Sequence, residues 1–331
     1  MSRYMRWVLA VAAIMATGPA RASAQPACDR TCLRTMLDQY LAAVVKHDPA
    51  AAPIVIGFRQ TENAINVRPG NGVWKTVTAL GKVQRRYLDP VTGQAGYYGT
   101  LEEGGNTILA TVRVRIENRQ LTEAEWHIAR ADDPGLNGAR QPGRPPANLL
   151  NTDYLAQNPP PERVVPRNQR SDRDTLVRIV NSYFDAITSH DTSVALTHPG
   201  CARAENGTPA PAGRFLPPLT PPAPGAAASS NDCVSGLANF NLSMVVARRI
   251  PLVDEEAQVA LGYAVFIRRP GSPTPRNVFS EWFFIDEAKI RTIYTAMFYP
   301  SGDLAVPNWP PYEGHWPLPA PAAPVPPPSA R

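Results

Sequence analysis

LRTMLDQYLAAV, residues 33–44, and LVRIVNSYFDAI, residues 176–187, place apolar side chains at the same steps of the same helix. In the first stretch Leu33, Met36, Leu37, Tyr40, Leu41 and Val44 recur at helical spacing, and in the second Leu176, Ile179, Val180, Tyr183, Phe184 and Ile187 do so. Each predicts an amphipathic helix with one buried face. Helical spacing alone is common, but the offset of 143 residues persists beyond the helices. His47-Asp48 falls on His190-Asp191, and Glu62-Asn63 falls on Glu205-Asn206. Agreement at every one of these positions points to an internal duplication.

Beyond the Glu-Asn pairs both copies turn to strand composition. Copy one offers Trp74–Leu88, a DPVTGQ turn at residues 89–94, then Tyr97–Leu101, Ile108–Ile116 and Leu121–Ile128. Copy two offers Leu242–Leu252, Gln258–Arg268, Val278–Ile285 and Ile290–Tyr299, the last two forming a hairpin that turns at Asp286 to Lys289. These segments are rich in Val, Ile, Tyr, Phe and Trp and are separated by turn residues. A helix followed by a run of antiparallel strands predicts an α+β unit in which a sheet curls over helices. The expected organisation is a first domain over residues 28–130, a linker over 131–170 with one turn at Leu149–Leu155, a second domain over 171–300, and a Pro-rich tail over 301–331. Residues 208–231 form a low-complexity loop inside copy two, read as disordered or as a flap tied at its base.

The chain starts with the features of a secretory signal over residues 1–24: Arg3 and Arg6, the apolar run WVLAVAAIMA, and Ala22-Ser23-Ala24 as a cleavage site. That run is too short for the ~20 residues of a spanning helix, so the expected mature protein is soluble, secreted or periplasmic, with no membrane association after cleavage. Arg3, Arg6 and Arg21 leave with the signal, so the net charge of +5 falls to about +2. The remaining arginines form no basic block, which argues against nucleic acid as a partner. Cys28, Cys32, Cys201 and Cys233 are an even set in an exported chain and favour disulfides over metal or a reactive thiol. Position suggests Cys28–Cys32 at a helix start and Cys201–Cys233 across the Pro/Gly-rich loop. No metal-ligand spacing, glycine-rich phosphate cradle or nucleophile elbow is present.

The segments HDPAAAP (47–53), TENAINV (61–67), NGVWKT (71–76), DPVTGQ, CARAENG (201–207) and VPNWPPYEGHWPL (306–318) carry a further signal. With the helix-then-strands order, they resemble the NTF2-like, or SnoaL-like, superfamily in tandem copies, and more narrowly a family of exported proteins of unknown function. The resemblance covers roughly residues 28–316. It implies two cones, each a curved antiparallel sheet wrapped around N-terminal helices and open at one end onto an apolar pocket. It also implies that the copies pair through their sheets as an intramolecular pseudo-dimer. Members include cofactor-free isomerases, dehydratases and epoxide hydrolases as well as proteins that only bind. No Asp-His constellation of those enzymes maps onto this sequence, so no catalytic role is carried over, and no cofactor is implied.

The residues themselves nominate Glu62 and Glu205 as catalytic candidates, because a carboxylate facing an apolar cone is pushed towards its neutral form and can act as acid or base. The structural alternative is that Glu-Asn pins a turn through backbone amides. Asp48 and Asp191 read as caps of a following helix, and His47 and His190 as closing the preceding one. Glu123, Glu125 and His127 share one face of a strand, a polar line that favours solvent over a lined pocket. Glu281 and Arg249 sit inside apolar strands, where an ion pair bridging neighbouring strands is the plain reading. Glu125, His127, Arg249, Glu281 and Tyr294 are carried as pocket-lining candidates together with Trp74, which follows Gly72. Asn206-Gly207-Thr208 matches a glycosylation acceptor. The functional expectation is a binder of a small apolar molecule or a cofactor-free lyase or isomerase, with a non-catalytic interaction module as the rival. The signal reading predicts that the secreted protein begins at Gln25; N-terminal sequencing that returns Met1 contradicts it.

Overall fold

The structure is a computed structural model that describes residues 28–209, 233–235, 237, 242–272 and 274–300. The leader, the loop expected over 208–231 from residue 210 onward, and the Pro-rich tail lie outside the described residues. Copy one runs α1 (Arg30–Val45), β1 (Ile54–Glu62), β2 (Ile65–Asn66), α2 (Val73–Thr76), β3 (Val77–Asp89), β4 (Gln94–Glu103), β5 (Asn106–Glu117) and β6 (Gln120–Ala129). A short α3 (Thr152–Gln157) follows. Copy two runs α4 (Arg173–Ser189), β7 (Thr197–Glu205), β8 (Thr208–Pro209), β9 (Met244–Asp254), β10 (Val259–Ile267), β11 (Arg276–Asp286) and β12 (Lys289–Phe298).

The helices begin where a side chain can accept from free amides. Asp29 takes the Cys32 amide and Asp172 the Thr175 amide. Asp48 and Asp191 cap single 3-10 turns, Pro49–Ala51 and Thr192–Val194. His190 ends α4 in the left-handed conformation at φ 59°, and its ring nitrogens lie 3.0 and 3.1 Å from the carbonyl oxygens of Leu237 and Leu242. Both expected disulfides are formed, Cys28–Cys32 and Cys201–Cys233.

The two six-stranded sheets have one topology, β2-β1-β6-β5-β4-β3 and β8-β7-β12-β11-β10-β9. Even the register repeats, with Glu62 opposite Ile65 and Glu205 opposite Thr208. Each sheet buries one face against its own helix, α1 in the first core and α4 in the second. The chain is thus α+β, two copies of one unit in tandem, each a sheet wrapped over its own helix. The sheets are mixed rather than wholly antiparallel, because β1 and β7 were not legible as strands. They run parallel to β6 and β12, with the register broken between Ile54 and Arg59 in one and near Thr197 in the other. Gly57 and Gly200, at φ 86° and 69°, sit in these irregular stretches and interrupt the alternation that marks a strand. Trp74 lies in a single helical turn, Val73–Thr76, rather than a strand.

The outer faces of the sheets meet each other. A third apolar cluster joins Tyr87, Tyr98 and Leu109 of copy one to Leu252, Tyr263, Trp282 and Tyr294 of copy two. Trp282 donates to Thr111 Oγ1 at 2.9 Å, and a side chain at Gly96 would lie 2.4 Å from its ring. The face carrying Glu123, Glu125 and His127 is therefore covered by copy two, not by water, with Glu125 3% and His127 1% exposed. Arg249 and Glu281 form no pair. They stand on opposite faces of their sheet, and Arg249 crosses to Glu125 at 2.7 Å.

The arginines that start the two helices, 143 positions apart, complete the contact reciprocally. Arg30 makes two bonds to Asp254 of copy two, at 2.8 and 2.9 Å. Arg173 makes two to Asp89 of copy one, at 2.9 and 2.7 Å. Asp254 also accepts the Leu88 amide and Asp89 the Val253 amide, at 2.8 and 2.9 Å. The segment after residue 130 is not free of structure. Leu155 of α3 is buried, and Asn206 donates to the Asn148 carbonyl. Asn206 is fully enclosed and bonded at both ends of its amide, which bars it as a glycan acceptor. Replacing Asp254 by Ala leaves three backbone N–H groups, of Leu88, Glu256 and Ala257, and the Arg30 guanidinium without their acceptor. The expected loss is about 3–5 kcal/mol in urea unfolding, partly restored in Asp254→Asn.

Candidate functional site

Alternation along three neighbouring strands aims a set of polar side chains into the second cone. On β11, Phe279 and Phe283 join the second core and Glu281 stands between them in sequence. On β12, Ile293 and Met297 flank Thr295, and on β7 Cys201 precedes Arg203 and Glu205 on the same face. The register brings Glu281 opposite Thr295, and Thr295 opposite Glu205.

Arg203 is the hub. Its Nε and Nη2 donate to Glu281 Oε1 at 3.2 and 3.0 Å, and its Nη1 to Glu205 Oε2 at 2.9 Å. Thr295 donates to Glu281 Oε1 at 3.1 Å, and Tyr299 donates to Glu205 Oε1. Glu281 is 0% exposed, and its Oε2 receives no hydrogen bond. Burial pushes the Glu281 carboxyl above the ordinary carboxylate range, and it outweighs the opposing pull of Arg203. Burial works against the charge on Arg203, but Glu281, Tyr183 and Glu205 more than offset this and hold it cationic. The aromatic wall comes from Tyr183 and Phe184 of α4, whose rings lie 5.7 and 5.6 Å from Phe283. Tyr183 donates to the Cys233 carbonyl at 3.2 Å, so the disulfide seats one edge of this wall.

The shared register locates the same place in copy one, where Tyr40 stands for Tyr183, Gln60 for Arg203, Val112 for Glu281 and Trp126 for Thr295. That interior is aromatic and carries no ion pair at this place, though Gln60 Nε2 has no hydrogen-bond partner among the described residues. Tyr40 donates to Gln60 at 2.9 Å, Trp74 donates to Gln60 at 2.7 Å, and Trp126 donates to Tyr40 at 2.9 Å. Trp74 is thus a core residue, 1% exposed. Glu62 lies at the edge of this cone, half-buried. One oxygen takes the Val73 amide at 3.1 Å and the other takes Arg130 at 3.0 Å. A side chain at Gly72 (φ 58°) would come within 2.2 Å of Glu62 Oε2, which is why a glycine precedes Val73-Trp74. Asn63 bonds both backbone groups of Ile128, as Asn206 does those of Met297.

Of the residues nominated from sequence, Glu205 and Glu281 come together. Glu62 is held at the first cone's edge. Glu125, His127, Arg249 and Tyr294 collect between the sheets, where Tyr294 meets Tyr98 ring to ring at 5.8 Å. Arg203 and Thr295 were missed. Reading CARAE as a strand with alternate residues inward would have found Arg203 beside Glu205. Among the described residues no group of three or more His, Cys, Asp or Glu is placed to hold a metal ion, and no helix is long and apolar enough to cross a membrane.

Residues 169–297, the second copy, match the sequence model of a domain of unknown function, DUF8021. No curated protein matches the chain. An NTF2-like protein of unknown function from Cytophaga hutchinsonii is 13% identical, over 29% of this chain and 89% of its own, with a TM-score of 0.26. A protein of unknown function with a cystatin-like fold from Methylobium petroleophilum is 13% identical, over 44% of this chain and all of its own, with a TM-score of 0.29. A de novo designed protein with a curved β-sheet is 14% identical, over 30% and 88%, with a TM-score of 0.26.

Because Arg203 donates to two buried carboxyls, Arg203→Met is expected to cost about 3–5 kcal/mol. Adding Glu281→Leu recovers much of it. Arg130→Met, at a partly exposed site where Arg130 binds both Glu62 and Glu103, costs less, about 1 kcal/mol. Urea midpoints of the three variants check the ranking.

Proposed function

We propose that this is an exported protein whose second cone takes up a small, largely apolar molecule at Glu281, while the first cone is its aromatic partner and holds it in shape. The observation that carries this reading is the enclosed Glu281 carboxyl, one oxygen of which has no hydrogen-bond partner among aromatic walls. A buried polar group left unsatisfied is costly; a ligand hydroxyl or amine satisfies it by donating, and a carbonyl does so by accepting when Oε2 carries a proton. Two disulfides fit an oxidising compartment.

The same carboxyl suits proton transfer. Burial raises its affinity for protons against the pull of Arg203, so Glu281 can hold a proton more readily than an exposed carboxylate. Arg203 and Thr295 fix one oxygen and leave the other to meet a substrate. The reaction class that follows is cofactor-free acid–base chemistry of the lyase or isomerase type. In this reading Glu205 positions Arg203, and Glu62 takes no part in chemistry. The mutual bonding of Tyr40, Gln60, Trp74 and Trp126 in copy one favours a second reading for that half alone, an interaction module without a ligand.

Native mass spectrometry of the secreted protein tests the proposal. A small-molecule adduct is expected on the natural protein and on Glu62→Gln, and is lost in Glu281→Gln. An adduct that survives Glu281→Gln, or no adduct on any variant when the protein is taken from its own host, overturns it.

A further inference from the structure

The contact between the two sheets is ionic on one side and aromatic on the other. Register equivalence sets Arg113 and Glu125 of copy one against Trp282 and Tyr294 of copy two, and His127 against Ala296. His127 is enclosed, with its ring edge-on to Tyr263 at 5.1 Å and 88°. Glu125 precedes it by two positions on β6 and binds Arg113 Nη2 at 2.5 Å and Arg249 Nη2 at 2.7 Å. Glu123 completes the row, bound by Arg113 at 2.7 Å and by Arg59.

The groups facing His127 are Glu125 from its own strand, Thr111 from β5, Arg249 from β9 and Tyr263 from β10. Arg113 on β5 and Tyr98 on β4 lie in the same rows. Arg59, Arg113 and Arg249 bind Glu123 and Glu125 there. An imidazolium adds a further positive charge beside Arg113 and Arg249 inside a buried contact.

We propose that the joint between the two cones is acid-responsive, and that a proton taken up by His127 drives the sheet faces apart. Burial, with help from Arg249, holds the His127 pKa down to about 3 against the pull of Glu125. Once the faces separate, the ring regains an ordinary histidine value of about 6.5. The depressed value means that the joint is at full strength above about pH 6.5 and weakens as pH falls towards 3. Between pH 7 and pH 5 the opening constant rises about 25-fold. Glu125, held near 2, adds a second loss of the same sign only below about pH 4.5.

Opening is read by thiol labelling of the whole secreted chain carrying Ala296→Cys, a fully buried position at the joint, with methyl methanethiosulfonate and correction for the thiolate fraction. The corrected rate is expected to rise about 25-fold from pH 7 to pH 5. It should stay flat when His127→Gln or His127→Phe is added. Ala110→Cys, in the first core, should show no such rise. A flat rate at Ala296→Cys, a rise that survives both His127 substitutions, or a parallel rise at Ala110→Cys overturns the proposal.

Discussion

The exchange of arginines between copies is the constraint on which the arrangement depends. Arg30 and Arg173 each stand at the first position of a helix that forms the floor of one cone, and each guanidinium is bound to an aspartate of the other cone. Those aspartates are wholly buried and also hold strand amides across the joint. A buried carboxylate without its cation is expensive, so neither cone is complete on its own. The same contacts fix helix starts, turn conformations and the alignment of the sheets together, since Asp89 and Asp254 also take the amides of their own turns.

Within that frame the copies have diverged in opposite directions on their two faces. Inside the cones, copy one is aromatic while copy two is charged around Arg203. Between the sheets the pattern reverses, with the charges on copy one and the indole and phenol rings on copy two. Duplication frees each half from having to serve both surfaces. A homodimer would repeat Glu125 and Arg113 on both sides and bury like charges together.

Much of this was legible from residue types. The constant offset gave the duplication, and apolar spacing gave both main helices. Val, Ile and aromatic runs gave the long strands, and DPVTGQ and Asp286–Lys289 gave their turns. The strands β1 and β7 were hidden because glycines at positive φ and a shifted register erase the alternation in IVIGFRQTE and THPGCARAE. Losing them hid Arg203, whose inward direction is defined only once its segment is a strand. Glu123, Glu125 and His127 were placed in solvent because a polar line says nothing of what covers it. Their cover comes from residues more than 100 positions away, such as Arg249 and Tyr263. The Glu-Asn pairs stand at equivalent positions but take separate roles: the Asn amides tie strand ends, while Glu62 anchors a helical turn and Glu205 joins the buried cluster.

The parallel seating of β1 beside β6, and of β7 beside β12, has a consequence for how the chain matures. The second element made in each copy pairs only at its far end with the short strand that follows and must wait for the last strand for the rest, so neither sheet can zip up progressively from its beginning. A polypeptide made from its N-terminus carries most of Ile54–Glu62 without its main partner until Gln120–Ala129 has emerged. Closure then spans many residues, which slows folding. The unfinished edge invites wrong partners in the interval, and Arg30 has no Asp254 to receive it until most of the chain is out.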